Sequence, residues 1–127
     1  MDFCEAAGRF LSHLEVVKGV SEHTLRGYRL DLTSFASFAK EGAPLDLGAV
    51  SKRLIRRYLS HLYEEKASVR TVLRRLSALR SFYKYAMREK LVQMSGGRET
   101  VPQIFVDNKP IGGYDDLVAL YRSGQTL

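Results

Sequence analysis

One cysteine, Cys4, is all the thiol chemistry in this sequence of 127 residues. An internal disulfide or a CxxC motif needs two, so both are excluded. Histidine is equally sparse: His13, His23 and His61 lack the spacing of a metal site and read as ordinary surface or core residues. No apolar run approaches the roughly 18 residues that cross a bilayer. The opening Met1-Asp2-Phe3-Cys4-Glu5 lacks the basic-then-apolar order of a secretory signal. Neither an internal repeat nor a low-complexity tract is present. These absences lead us to expect a cytoplasmic protein with no membrane association, no metal and no cofactor. What remains is 45% hydrophobic and 27% charged, the balance of a globular chain and not of a disordered one. The length suits one domain, or one domain with an appendage.

The net charge of +6 is unevenly placed. Residues 1–92 hold 17 Lys/Arg against 10 Asp/Glu, a balance of +7, while residues 93–127 hold 3 against 4, a balance of −1. A basic first part beside a near-neutral tail fits a polyanion partner for the first part alone. It fits equally a solvated surface that keeps the chain in solution.

Apolar spacing in the first ninety residues predicts four helices. The first runs from about Phe3 to Lys18 on Phe3, Ala6, Ala7, Phe10, Leu11, Leu14 and Val17, and Gly19 ends it. Ser21 caps the second, which reaches about Lys40 on Leu25, Tyr28, Leu32, Phe35 and Phe38. A loop through Gly42 and Pro44 leads to the third, capped by Ser51 and running from about Lys52 to Glu65. Lys52, Arg53, Arg56 and Arg57 crowd its first turns, against the helix dipole, at a few tenths of a kcal/mol each. Ser68 caps the fourth, from about Val69 to Glu89, with Val69, Val72, Leu73, Leu76, Leu79, Tyr83, Ala86 and Met87 along one face.

Acidic residues are nearly missing from this fourth helix. Between residues 68 and 90 stand seven basic residues and one acid, Glu89. Arg70, Arg74, Arg80, Lys84 and Arg88 fall within an arc of about 120° beside the apolar face. Surface helices ordinarily alternate the two signs as i,i+4 pairs, so a one-sign stripe is the strongest intrinsic signal in the sequence. Arg75 lies off the stripe and reads more readily as structural or solvated. Thr24 has a plain alternative as a partner of Ser21 in a cap, and Cys4 as a small packed residue. Tyr28, Phe35, Phe82 and Tyr83 are read as core and not as stacking platforms.

After Leu91 the pattern changes. Ser95-Gly96-Gly97 is a loop, Val101–Val106 reads as a strand, and Asp107–Pro110 as a turn. A short helix follows from about Asp115 to Tyr121. A mainly α fold results, with a small β-hairpin and helix as its tail.

The stretch Val20-Ser21-Glu22-His23-Thr24-Leu25-Arg26-Gly27-Tyr28-Arg29-Leu30-Asp31-Leu32-Thr33-Ser34-Phe35 resembles the S-x-x-T-x-x-x-Y-x-x-D-L-x-x-F pattern of XerC/XerD-like tyrosine recombinases. Ser68 to Tyr83 is similar to their S-x-x-T-x-x-R-x-L-S-A-L-R-x-F-Y helix. The likeness covers about residues 2–91, in order and with matching loops, and implies a four-helix, SAM-like core-binding domain over residues 1–91. In that family the domain is half of a clamp on double-stranded DNA, with its second and fourth helices facing the major groove. The resemblance implies DNA contacts from Thr24, Arg26 and Arg29, and from Arg70, Thr71, Arg74, Arg75, Ser77, Arg80 and Lys84. The family's tyrosine nucleophile and its Arg, Lys and His constellation belong to a separate C-terminal domain. The roughly 36 residues after the helices are too few for it, so the chain is not expected to be an enzyme.

The tail resembles something else. Ser95 to Asp107 and Ile111 to Leu117, with their T-V-P and G-G-x-D-D-L elements, look like the C-terminal half of a glutaredoxin over residues 92–127. That likeness implies a remnant glutathione site at Val101, Pro102, Gly113, Tyr114 and Asp115, without the redox cysteine that sits in the family's first half. Alternatives to a DNA-binding module therefore stand: a protein-interaction module that self-associates through the tail or meets recombinase protomers, or a glutathione-binding fragment without redox activity.

Overall fold

A computed structural model describes residues 1–40 and 43–92. The hairpin and short helix expected of the tail, with Val101, Pro102, Gly113, Tyr114 and Asp115, lie outside the described residues. Four α-helices appear in the expected order: α1 Phe3–Val16, α2 Glu22–Ala39, α3 Lys52–Glu64 and α4 Val69–Arg88. A 3-10 turn, Leu47–Ala49, interrupts the connection between α2 and α3.

Each helix begins on a polar side chain that accepts the amide three residues on. Asp2 takes Glu5, Ser21 takes Thr24, Ser51 takes Leu54 and Ser68 takes Thr71, all at 3.1 Å. These caps satisfy amides that the helix itself leaves unpaired. The helices end differently. Gly19, with φ of 61°, turns the chain after α1, so that the Val20 amide donates to the Leu14 carbonyl. After α3 and α4 the left-handed residues are lysines, Lys66 and Lys90, with φ of 61° and 59°. Each turn closes with an amide on the helix, Ala67 to the Leu62 carbonyl and Leu91 to that of Ala86.

Helix α2 is the hub: it packs against α1, α3 and α4, and α1 also meets α4. Their apolar faces converge on one core, in which Phe3, Phe35, Ile55, Leu59, Leu76 and Phe82 are almost wholly buried. A chain of aromatic contacts runs through it. Phe3 meets Phe82 edge-on at 5.0 Å and Phe35 at 5.6 Å, and Phe35 meets Tyr58 edge-on at 5.1 Å. Four helices are thereby joined by rings in the geometry such pairs favour. Tyr83 is buried too, and its hydroxyl donates to the Leu47 carbonyl at 2.8 Å. The α2–α3 connection is tied to the start of the chain as well: Phe3 donates to the Leu45 carbonyl, and Leu47 to that of Met1.

Two apolar positions and the cysteine depart from the sequence expectation. Val17 is 68% exposed, because α1 stops at Val16 before Val17 can turn onto the core. Val69 is 42% exposed. Helical side chains lean over the turn that precedes them, and at the first position of a helix there is none. Cys4 is exposed and not packed.

Candidate nucleic-acid interface

Helix α4 runs from Val69 to Arg88 with six cations and no acid. Its buried side faces α1 and α2, which leaves Arg70, Arg74, Ser77, Lys84 and Arg88 on the exposed side. Among the described residues, Arg70, Lys84 and Arg88 have no ion-pair partner, so their charge is uncompensated nearby. Arg80 is half-buried at the edge of this face. On this face Arg74 is ion-paired, with Asp31, while the Arg9–Glu5 pair lies elsewhere on the surface.

Beside this face, α2 and α4 bound an open groove of about 550 Å³. Thr24, Arg26, Gly27 and Leu30 line it from α2, and Arg74 and Ser77 from α4. Thus Thr24, Arg26, Arg74 and Ser77, all expected from the sequence, come together in one place. Arg29 does not join them. Three residues after Arg26, it sits on the α1 side of α2 and lines a second groove of about 350 Å³ with Cys4 and Gly8.

Several of the expected contact residues carry structural duties. Thr24 and Thr71 each accept a hydrogen bond from the capping serine at 3.0 Å while donating their amide to it. Their hydroxyls are held at the helix starts, where Thr71 is half-buried. Arg75 turns inward. Its Nη1 donates to Ser34 Oγ at 2.9 Å and to Tyr58 Oη at 3.3 Å, which binds α4 to α2 and α3.

Arg74 stands between these two groups. Asp31 is a buried acid, its side chain only 3% exposed, while the Arg74 side chain is 55% exposed. Arg74 Nε donates to Asp31 Oδ2 at 3.2 Å and Nη2 to Oδ1 at 2.9 Å. Asp31 also lies 3.9 Å from Arg75 Nε. A carboxylate away from water needs such partners. The hydrogen bond to Asp31, and then its charge, raise the Arg74 guanidinium above its usual range. Sequence reasoning treated Arg74 as an unpaired member of the stripe and did not single out Asp31. A signal was there: Asp31 follows Tyr28 by three residues and precedes Phe35 by four, an acid on the inward face of its helix.

No group of three His, Cys, Asp or Glu capable of holding a metal occurs among the described residues. None of the described helices is long and apolar enough to cross a membrane.

Residues 7–90 match the family described as phage integrase, N-terminal SAM-like domain. The tyrosine recombinase XerC of Halalkalibacterium halodurans is 43% identical over 83 residues, which cover 65% of this chain and 27% of that protein. The XerC of Oceanobacillus iheyensis is 33% identical over 105 residues, covering 83% of this chain and 34% of that protein. The XerC of Myxococcus xanthus is 40% identical over 87 residues. No solved structure gives a significant match. The chain spans about a third or less of the length of these relatives. With a matching span that takes in most of α1 and all of α2, α3 and α4, the chain belongs to the phage integrase N-terminal SAM-like domain family.

Proposed function

We propose that the helical domain binds duplex DNA as the core-binding part of a tyrosine-recombinase system, laying the exposed side of α4 and the mouth of the α2–α4 groove into the major groove. The observation that carries this reading is the cationic side of α4, where Arg70, Lys84 and Arg88 stand exposed and unpaired among the described residues. Exposed like charges on one helix repel each other and oppose folding slightly. A polyanion removes that cost, and phosphates at duplex spacing release counterions as they are neutralised. The major groove, about 12 Å wide, admits a helix. Arg26, Thr24 and Ser77 would then meet backbone or base edges from the groove walls. Strand cleavage is not assigned to these residues; their part is to hold the duplex.

Fluorescence anisotropy with a labelled duplex of mixed sequence tests the reading. Binding is expected at about 50 mM salt in the micromolar range or tighter, as for other phosphate-dominated contacts. The double variant Arg70→Glu with Lys84→Glu is expected to lose at least ~100-fold in affinity while unfolding at an unchanged temperature, since both sites are exposed. Absence of binding by the unaltered chain at low salt would remove the proposal.

A further inference from the structure

The positioning of Arg74 by Asp31 carries a more specific inference, which rests on the DNA-binding reading above. A guanidinium has two usable edges, the side edge formed by Nε with Nη2 and the terminal edge formed by Nη1 with Nη2. Asp31 occupies the side edge with both of its oxygens. Nη1 has no hydrogen-bond partner among the described residues, so the terminal fork is open. The carboxylate beneath is buried and the arginine above it is more than half exposed, at the wall of the α2–α4 groove. Arg70 and Lys84 are exposed without such a brace, and flexible cations tolerate the loose geometry of phosphate contact. Arg74 has already given up its rotamer freedom to the ion pair. It presents two parallel donors at a fixed place and angle, the arrangement that planar, bidentate recognition requires.

We propose that Arg74 is a specificity-determining residue that reads a guanine through its terminal fork, with Asp31 as its positioning residue. Guanine is the base whose major-groove edge offers two adjacent acceptors, O6 and N7, to a group that can only donate. Arg75, its neighbour on α4, takes no part, because Ser34 and Tyr58 use its Nη1.

Selection of duplexes from a randomised library by the full chain, followed by affinity measurement of single-base variants, tests this. One position is expected to be a guanine preferred roughly 5- to 150-fold over the other bases, the discrimination a bidentate pair supplies. Arg74→Lys keeps a charge beside Asp31 and a phosphate-binding ammonium, but loses the fork. It should bring that one position close to parity and leave other positions and the salt dependence unchanged. Asp31→Asn should relax the same position, an effect that loss of stability alone does not produce. Circular dichroism checks that both variants are folded. A uniform loss of affinity across all sequences in Arg74→Lys would place the arginine on a phosphate and overturn the inference, leaving DNA binding intact. Unchanged preferences at every position in Arg74→Lys would overturn it as well. A preference lost in Arg74→Lys but kept in Asp31→Asn would overturn the role of Asp31. If no duplex is retained at low salt, the DNA-binding reading itself fails, and this inference with it.

Discussion

Asp31 shows how much one side chain can decide. Its carboxylate accepts from Arg74, lies near Arg75 Nε and is shut away from water, so it holds α2 to α4 by charge at a place where apolar contact ends. Removing one partner of such a set leaves buried charge without compensation. Asp31→Ala should therefore cost about 3 kcal/mol in urea unfolding, near the low end for buried pairs because Arg74 keeps water on its outer side. For the same reason Arg74→Glu would set two carboxylates against each other and destabilise the fold. Tyr83 makes a second test. Burial, and then the charge of Asp46, raise its hydroxyl well above the ordinary value of 10.0. The folded state thus favours the neutral phenol. Its contribution is complete below pH 10 or so and is lost as the pH rises beyond that value. Tyr83→Phe should cost about 1 kcal/mol at neutral pH, through the lost bond to the Leu47 carbonyl, and should flatten the fall in stability at alkaline pH. Denaturant titrations at several pH values would show both effects.

Among the elements, the starts of the helices were legible and the ends only in part. Ser21, Ser51 and Ser68 sit where an N-cap acceptor is wanted, and each accepts the expected amide. Gly19 announces the end of α1, but nothing comparable marks Lys66 or Lys90, which take left-handed backbone without glycine's freedom. Those turns are imposed by the amides of Ala67 and Leu91 closing back onto their helices, a matter of packing and not of local preference. Lys66→Gly and Lys90→Gly should each stabilise the domain, by about 0.5–1 kcal/mol, because an L side chain in that region is strained. Thermal denaturation would register a rise of a few degrees for each, and a fall in both would show that the strain is absent.

At the scale of the whole molecule, charge and topology act together. Residues 1–92 carry the excess of 17 basic over 10 acidic residues, and the fold gathers part of it on one side of α4. If Arg26, Arg70, Lys84 and Arg88 meet phosphates while Arg74 meets a base, the logarithm of affinity should fall with the logarithm of salt with a slope of about −4. Lys84→Ala should make that slope shallower by about one unit and weaken binding evenly across sequences. A slope near zero over the same range would mean that phosphates are not what the cations meet.

Period, capping and charge sign are local properties, so the amino-acid order alone determined four amphipathic helices, their starting residues and a basic side on the last of them. Which cations stay outside was decided only by folding. Arg74 and Arg75 are adjacent in sequence and alike in chemistry, yet one is braced at the groove and the other turned into the interior. The carboxylate that separates their roles lies 43 residues from Arg74 along the chain. A helix period gives the direction in which a residue points, but not what waits there; that depends on how α2, α3 and α4 come together in space.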